Sequence, residues 1–329
     1  MNAVEFAREL IDIDSTTGRE QAAGDWLAAR LRTLGYTVVE QPVSDGRHNV
    51  IATLDAPAVV LSTHYDCVPP FFPSSIRDGR LYGRGSCDAK GILAAQVAAV
   101  EQMRATGERR VGMLFVVGEE RGSDGAELAN REALRTQYLI NGEPTDSRLG
   151  IATRGILRVR LHAAGRACHS AAPENGESAI DKLIDALVEL RTIPLPADPI
   201  LGRTHYTIGL VSGGVAPNVV SPSAEAEVMF RTVSDAAEVR RAVAPLERRL
   251  AIEHVLEVPP VRLRTVPGFD TEVFPYTTDI PFLAQWGEPL LFGPGSIHVA
   301  HTSEEYIDVK ELRQAVDSYE RIVRTLLAS

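Results

Sequence analysis

The stretch VGMLFVVGEE, residues 111–120, carries the reading of the fold. Its first eight residues are almost unbroken apolar, which fits a strand buried on both faces, and such strands belong to parallel sheets covered by helices. Two carboxylates, Glu119 and Glu120, follow at the strand end, where open α/β sheets present their ligands. Working outward, AKGILAAQVAAVEQM (89–103) reads as a buried helix, and AVVLST (58–63), HNVIATL (48–54) and TVVEQ (37–41) as strands rich in β-branched residues. QYLIN (137–141) is a further short strand. Thr17 and Glu20 have capping-box spacing before a helix that carries Trp26, Leu27 and Leu31 and stops at Gly35. The class is α/β with a largely parallel sheet.

From about residue 156 the rhythm changes. ILRVRLHAAG, ESAIDKLIDALVELRTI, TIGLVSGG, AEAEVMFRTV, DAAEVRRAVAPLERRLA and HVLEVPPVRL run strand, helix, strand, strand, helix, strand. That order is the ferredoxin-like split unit, so the spacing predicts a small domain inserted over 156–266. PLLFGPG and a closing helix with Leu312, Val316, Tyr319, Val323 and Leu326 then return to the first domain, which comprises 1–155 and 267–329.

The 329 residues carry a net charge of −10, which argues against nucleic acid and anionic membrane as partners. No run approaches the roughly 20 apolar residues of a membrane span. The N-terminal MNAVEFARELIDIDST lacks the pattern of a signal peptide, and three cysteines make no disulfide framework, so a reducing cytoplasmic setting is expected.

Chemistry gathers at strand ends. His64 and Asp66, in LSTHYDCVPP, are two residues apart and project to one side. The carboxylate can fix the imidazole tautomer and free the other nitrogen for a metal, or the two can form a plain surface pair. Asp88, in GRGSCDAKG, either caps the following helix or binds a ligand. The glycines around it match neither the Walker nor the dinucleotide pattern, which excludes nucleotide binding on that basis. Glu119 and Glu120 project differently from adjacent positions, so one can hold a metal while the other faces water. Glu143 follows QYLIN in the same way, and GPGSIHVAHTSEEY offers both His298 and His301 after the last apolar strand. Two histidines and three carboxylates suit Zn²⁺ in a hydrolytic site. Five ligands are too many for one tetrahedral ion with an open position and fit two ions sharing a carboxylate and a water.

These residues resemble the aminoacylase, acetylornithine deacetylase and succinyl-diaminopimelate desuccinylase family of dinuclear zinc metallopeptidases. The resemblance rests on HYD (64–66), GRGSCDAKG (83–91), GEE (118–120), GEPT (142–145), HSAAPENGESA (169–179) and AHTSEEY (300–306), and spans nearly the whole chain. It implies a zinc-peptidase catalytic domain with an inserted lid and dimerisation domain. It implies that His64 and Glu143 bind opposite metals, that Asp88 bridges them, and that Glu120 and His301, rather than His298, complete the shells. Asp66 would clamp His64, Glu119 would be the general base, and the Asp88–Ala89 peptide would be cis. His169, otherwise a surface turn residue, would stabilise the oxyanion, from the partner subunit if the chain forms a homodimer.

Asn218 and Arg231 match substrate-contacting positions, and Gly293 and Gly295 would offer backbone N–H groups to the same end. Cys67 and Cys87 depart from the usual pattern and read as small buried thiols. The expected reaction is hydrolysis of an N-acyl-L-amino acid, such as acetylated ornithine, lysine or citrulline, with two Zn²⁺, or Co²⁺ or Mn²⁺ in their place. A dipeptidase or carboxypeptidase with the same centre is the alternative, and a non-catalytic binding protein on this scaffold is a third.

Overall fold

The computed structural model describes Met1–Ser329, and its contacts divide the chain into two units. The first comprises Met1–Ile151, Leu263–Glu272 and Thr278–Ser329, the second Ala152–Arg262 and Val273–Thr277. We number the principal elements in chain order. They begin with α1 (Ala3–Ile11), α2 (Gln21–Thr33), β1 (Thr37–Ser44), β2 (Arg47–Thr53), β3 (Val59–His64) and α3 (Lys90–Ala105). Next come β4 (Val111–Val116), α4 (Asp124–Arg131) and β5 (Tyr138–Asn141). The second unit holds β6 (Gly155–Ala164), α5 (Ala179–Leu190), β7 (His205–Gly213), β8 (Ser223–Thr232), α6 (Ala236–Val243) and β9 (Ala251–Val258). The chain closes with β10 (Glu288–Leu291) and α7 (Val309–Leu327).

The sheet of the first unit has the order β1-β2-β4-β3-β5-β10. The four strands β4, β3, β5 and β10 are parallel, while β2 and β1 continue the sheet antiparallel. β3 and β4 are buried along their whole length because both faces are covered. Successive side chains point to opposite faces, and the core divides accordingly. Val59, Leu61, Val111, Met113 and Phe115 join α1, α2, α3 and α7 on one side. Val60, Leu114, Val116 and Leu139 pack with Ala126 and Ala129 of α4 and with Trp286 on the other. Four parallel strands therefore end together, and the loops that leave them carry the polar residues discussed below.

One local expectation is corrected. Glu20 sits at the start of α2 but makes no capping bond; it is buried, accepts from Arg47 Nε (3.0 Å) and from the Gly18 N–H (2.7 Å). Thr17 instead donates to Asp66 (2.9 Å). A half-buried guanidinium partner outbids the local cap for the Glu20 carboxylate. Of the two readings of Asp88, the structure excludes the helix cap, since Ala89 occupies the N-cap position of α3 without a side-chain bond.

In the second unit four antiparallel strands run in the order β7-β8-β6-β9. Leu157, Val159 and Leu161 of β6 and Ala226, Val228 and Phe230 of β8 face α5 and α6, burying Leu183, Ala186, Val239 and Val243. The intervening residues form a charged sheet face, on which Arg160 pairs with Glu227 (2.8 Å) and Glu253 (3.2 Å). Ser178 caps α5 by accepting from the Asp181 N–H (3.1 Å). No helix is long and apolar enough to cross a membrane.

Candidate metal centre

Each donor is placed by a strand end or the loop beyond it. His64 is the last residue of β3; Glu119 and Glu120 open a short 3₁₀ turn, Glu119–Arg121, after β4; Glu143 follows β5 by two residues. Asp88 precedes α3, and the Asp88–Ala89 peptide is cis. His301 lies between β10 and α7 in the left-handed region, with φ +64°.

Their side chains converge. His64 Nε2 lies 3.0 Å from Asp88 Oδ1, and His301 Nε2 lies 3.2 Å from Asp88 Oδ2 and 2.9 Å from Glu120 Oε1. Two donor groups result, His64–Asp88–Glu143 and Asp88–Glu120–His301, in each of which the donor atoms lie within 4.8 Å of one another. Asp88 belongs to both and turns a different oxygen toward each histidine. His298 joins neither group and is exposed. A third group, Asp25–Glu40–His48, shares no donor with another, and its His48 Nε2 stands 3.5 and 3.8 Å from the two carboxylates. Glu40 is already paired with Arg32 at 2.6 Å.

The electrostatics are those of a cluster short of positive charge. Loss of water pushes the Glu119 and Glu143 carboxyls well above the usual carboxylate range, and neighbouring carboxylates add to it. Burial by itself would depress the His64 imidazole, yet its bonds to Asp66 and Asp88 raise it well above the ordinary value. Hydrogen bonds donated to Asp88 and then to Glu120 raise His301 to about 10. Glu143 Oε1 is buried without any hydrogen-bond partner. Such an orphan is uncommon in a folded protein and asks for a donor or a cation.

Asp66 does more than clamp His64. The imidazole Nδ1 lies nearer to the Asp66 carbonyl oxygen (3.0 Å) than to its carboxylate (3.4 Å). That carboxylate, fully buried, accepts from the backbone N–H of Glu119 (3.1 Å), the N–H of Glu120 (3.3 Å) and the Thr17 hydroxyl (2.9 Å). Charge-assisted bonds of this kind contribute about 1.5–3 kcal/mol each, so Asp66 fixes the turn from which both glutamates project. Sequence spacing pointed to the His64–Asp66 pairing and missed the turn, because the Glu119 N–H comes from 53 residues away.

Gly293 and Gly295 differ from expectation. The Gly293 N–H donates to Thr145 Oγ1 (2.9 Å) and the Gly295 N–H to Glu311 Oε1 (2.9 Å), so neither is free for a substrate carboxylate. Gly293 is instead required for close packing, since a Cβ there would meet the Glu143 carbonyl oxygen at 2.4 Å. Asp279, which the sequence did not single out, is wholly buried, and burial pushes its carboxyl up to about 7; the nearby Ser123 hydroxyl offsets this only in part.

The second unit holds the other candidates. His169 is exposed, accepts from the Ala171 N–H at Nδ1 (3.1 Å) and forms a bridge with Val219. The Asn218 carbonyl accepts from the Ser170 N–H (2.9 Å). These contacts set the two segments side by side. Arg231, on the charged face of β8, is partly buried and pairs with no carboxylate, and burial lowers its guanidinium pKa.

Comparison with known proteins identifies the family. The model of peptidase family M20/M25/M40 matches residues 60–325. A peptidase M20 domain-containing protein of Schizosaccharomyces pombe is 37% identical, the match covering 98% of this chain and 84% of the relative. A probable carboxypeptidase of Aspergillus fumigatus is 38% identical, over 98% and 86%. Among solved structures, an aminopeptidase of Bacillus cereus matches with a TM-score of 0.84 at 22% identity, covering 99% of this chain and 98% of that one. A tripeptidase of Staphylococcus aureus matches with the same TM-score at 21% identity, covering 98% of each. The chain belongs to peptidase family M20/M25/M40 and is a metallopeptidase, a hydrolase of amide or peptide bonds.

Proposed function

We propose that this protein is a two-metal carboxypeptidase, which removes a C-terminal residue bearing a free α-carboxylate. The observation that carries the proposal is Asp88, which turns one oxygen toward each of two donor groups. His64, Asp88 and Glu143 would hold one divalent cation, and Asp88, Glu120 and His301 the other. The nitrogen and oxygen donors suit Zn²⁺, with Co²⁺ or Mn²⁺ as substitutes. The orphan Glu143 Oε1 supports this, because a cation would satisfy it. When bound, the cations would supply Lewis-acid polarisation of the scissile carbonyl and lower the pKa of the attacking water.

The chain's own groups do the rest. The Glu119 carboxylate takes a proton from the attacking water and delivers it to the leaving nitrogen. Asp66, by holding the Glu119 N–H, keeps that carboxylate from swinging away. His169 donates to the developing oxyanion. Arg231, lacking a carboxylate partner of its own, is suited to a bidentate pair with the substrate carboxylate, and Asn218 contributes a further substrate contact.

The names of the curated relatives favour a peptide substrate over the expected N-acyl-L-amino acid. The acyl amino acid remains a second reading, favoured by the same Arg231, since its scissile amide also adjoins a free α-carboxylate. A panel of dipeptides, their C-terminal amides and N-acetyl amino acids, assayed with Zn²⁺ or Co²⁺, separates the two. Peptides with free carboxylates are expected to be cleaved fastest and amidated ones not at all; cleavage of the amides would remove Arg231 from its role. Glu119→Gln is expected to keep its metal and lose roughly 10²–10⁴-fold in kcat. Unchanged turnover would rule out Glu119 as the base.

We also propose a homodimer through the inserted unit. The edge strand β7 exposes Leu210 (64%) and Val211 (62%), a combination of open backbone and apolar side chains that favours strand pairing. Sedimentation giving only monomer would overturn it. The three cysteines are unpaired, as suits a reducing, cytoplasmic setting.

A further inference from the structure

Glu305 has no place in the chemistry above, yet it is wholly buried beside it. Its Oε1 accepts from three backbone N–H groups, those of Gly85, Cys87 and Asp88, each at 3.0 Å. Its Oε2 accepts from Arg84 Nη1 at 2.6 Å, and Arg84 is itself only 2% exposed. The loop 84–88 therefore wraps around one carboxylate, in the manner of an anion-binding nest filled by the protein's own side chain. The wrapping is tight. Gly85 has φ +88°, and a Cβ there would meet Cys67 Sγ at 2.7 Å, while a Cβ on Gly91 would meet the Ser86 carbonyl at 2.1 Å. The last residue held by the nest is Asp88, whose side chain faces both donor groups. The carboxylate that holds it stands four residues after His301, the donor facing the second Asp88 oxygen.

We propose that Glu305, with Arg84 as its counter-charge, is a positioning residue for the metal centre. It sets the backbone of Asp88 so that one carboxylate oxygen faces His64 and the other His301, in the two donor groups that would hold the cations, and it ties the Asp88 loop to the loop of His301. This rests on the reading that the two donor groups bind metal. An exposed neighbour gives the control: Glu304 is paired only with Arg77 on the surface.

The test uses the full chain loaded with Co²⁺, followed by titration calorimetry and by the visible absorption of the bound ion. Glu305→Gln can still accept backbone N–H bonds but cannot balance Arg84. It is expected to bind Co²⁺ roughly 10–100-fold more weakly, the cost typical of groups that orient metal ligands, with an altered absorption band. Glu304→Gln should match the wild type. If Glu305→Gln does not fold, Arg84→Lys, which leaves the three backbone bonds in place, should fold and show a smaller weakening in the same direction. A folded Glu305→Gln or Arg84→Lys protein with the affinity and spectrum of the wild type overturns the proposal. A wild type that binds no Co²⁺ would instead overturn the metal reading itself, so the two failures are distinct.

Discussion

The donors of the first unit and the candidate residues of the second are held in opposite ways. His64, Asp88 and Glu120 have their polar atoms engaged by other parts of the protein, and the turn and loop that carry them are tied down by the buried carboxylates of Asp66 and Glu305. His169 is exposed with one local bond, and Arg231 has no anionic partner. The first arrangement is preorganised for a small, highly charged guest. The second leaves its donors available to a larger one. Preorganisation is what a metal demands, because ligand atoms must agree to within a few tenths of an ångström, whereas a substrate can complete the hydrogen bonds that a free side chain lacks.

If that contrast is right, changes in the first unit alter metal content and changes in the second alter kinetics alone. Asp88→Asn is expected to have the largest effect. It should lower bound metal from two ions per chain to one or none and cost on the order of 10³-fold in activity, the several kcal/mol assigned to Lewis-acid catalysis. Metal analysis and kcat on one preparation check both parts, and a variant that still holds two ions would direct attention to Asp25, Glu40 and His48. His169→Ala should come next, with kcat down roughly 10²–10³-fold and metal content unaltered, as for loss of an oxyanion donor. Reduced metal in that variant would break the contrast.

Arg231→Ala should raise KM for substrates with a free carboxylate by roughly 10–150-fold, the equivalent of one charge-assisted interaction, and should leave thermal stability nearly unchanged. The smallest effect belongs to Asp279. Its folded pKa, about 7, lies above the unfolded carboxylate value, so between roughly pH 4 and pH 7 the native state binds the extra proton. The contribution of Asp279 to the stability of the metal-free protein should therefore fall as pH rises through that window, by at most about 1.4 kcal/mol per unit, and Asp279→Asn should remove that part of the slope. Denaturant unfolding at pH 4.5 and 6.5, roughly the ends of this window, measures it.

What could be read in the sequence was whatever depends on near neighbours. Apolar runs such as Val111–Val116 marked the buried strands, and the alternation in ILRVRLHAAG marked the first strand of the second unit. The strand-end position of His64, Glu119, Glu120 and Glu143 was legible for the same reason. The errors and omissions share the opposite cause. Thr17 and Glu20 had the spacing of a cap, but Arg47 and Asp66 claimed them from 27 and 49 residues away. Gly293 N–H was assigned to a ligand when Thr145, 148 residues distant, already accepted it. For Asp88 the local spacing left a helix cap and a ligand both open, because it cannot weigh His64 and His301. Glu305, inside a quoted motif, had no assigned role because its partners lie 217–221 residues before it.

The spread of the donors along the chain has a consequence for how the protein is made. Synthesis runs from the N-terminus, and domains fold as they emerge. His64, Asp88, Glu120 and Glu143 leave the ribosome first, then more than 150 residues pass, including the whole second unit, before His301 appears. The strand β10, which completes the parallel edge of the sheet, and Glu305, which seats the Asp88 loop, are equally late. A nascent chain therefore carries all three members of one donor group and two of the three of the other, with the shared carboxylate not yet held by Glu305. Completion of the second donor group is therefore among the last steps of synthesis, and a chain cut short before residue 305 would lack both the Glu305 carboxylate that holds the Asp88 loop and the β-strand-to-helix segment that it anchors.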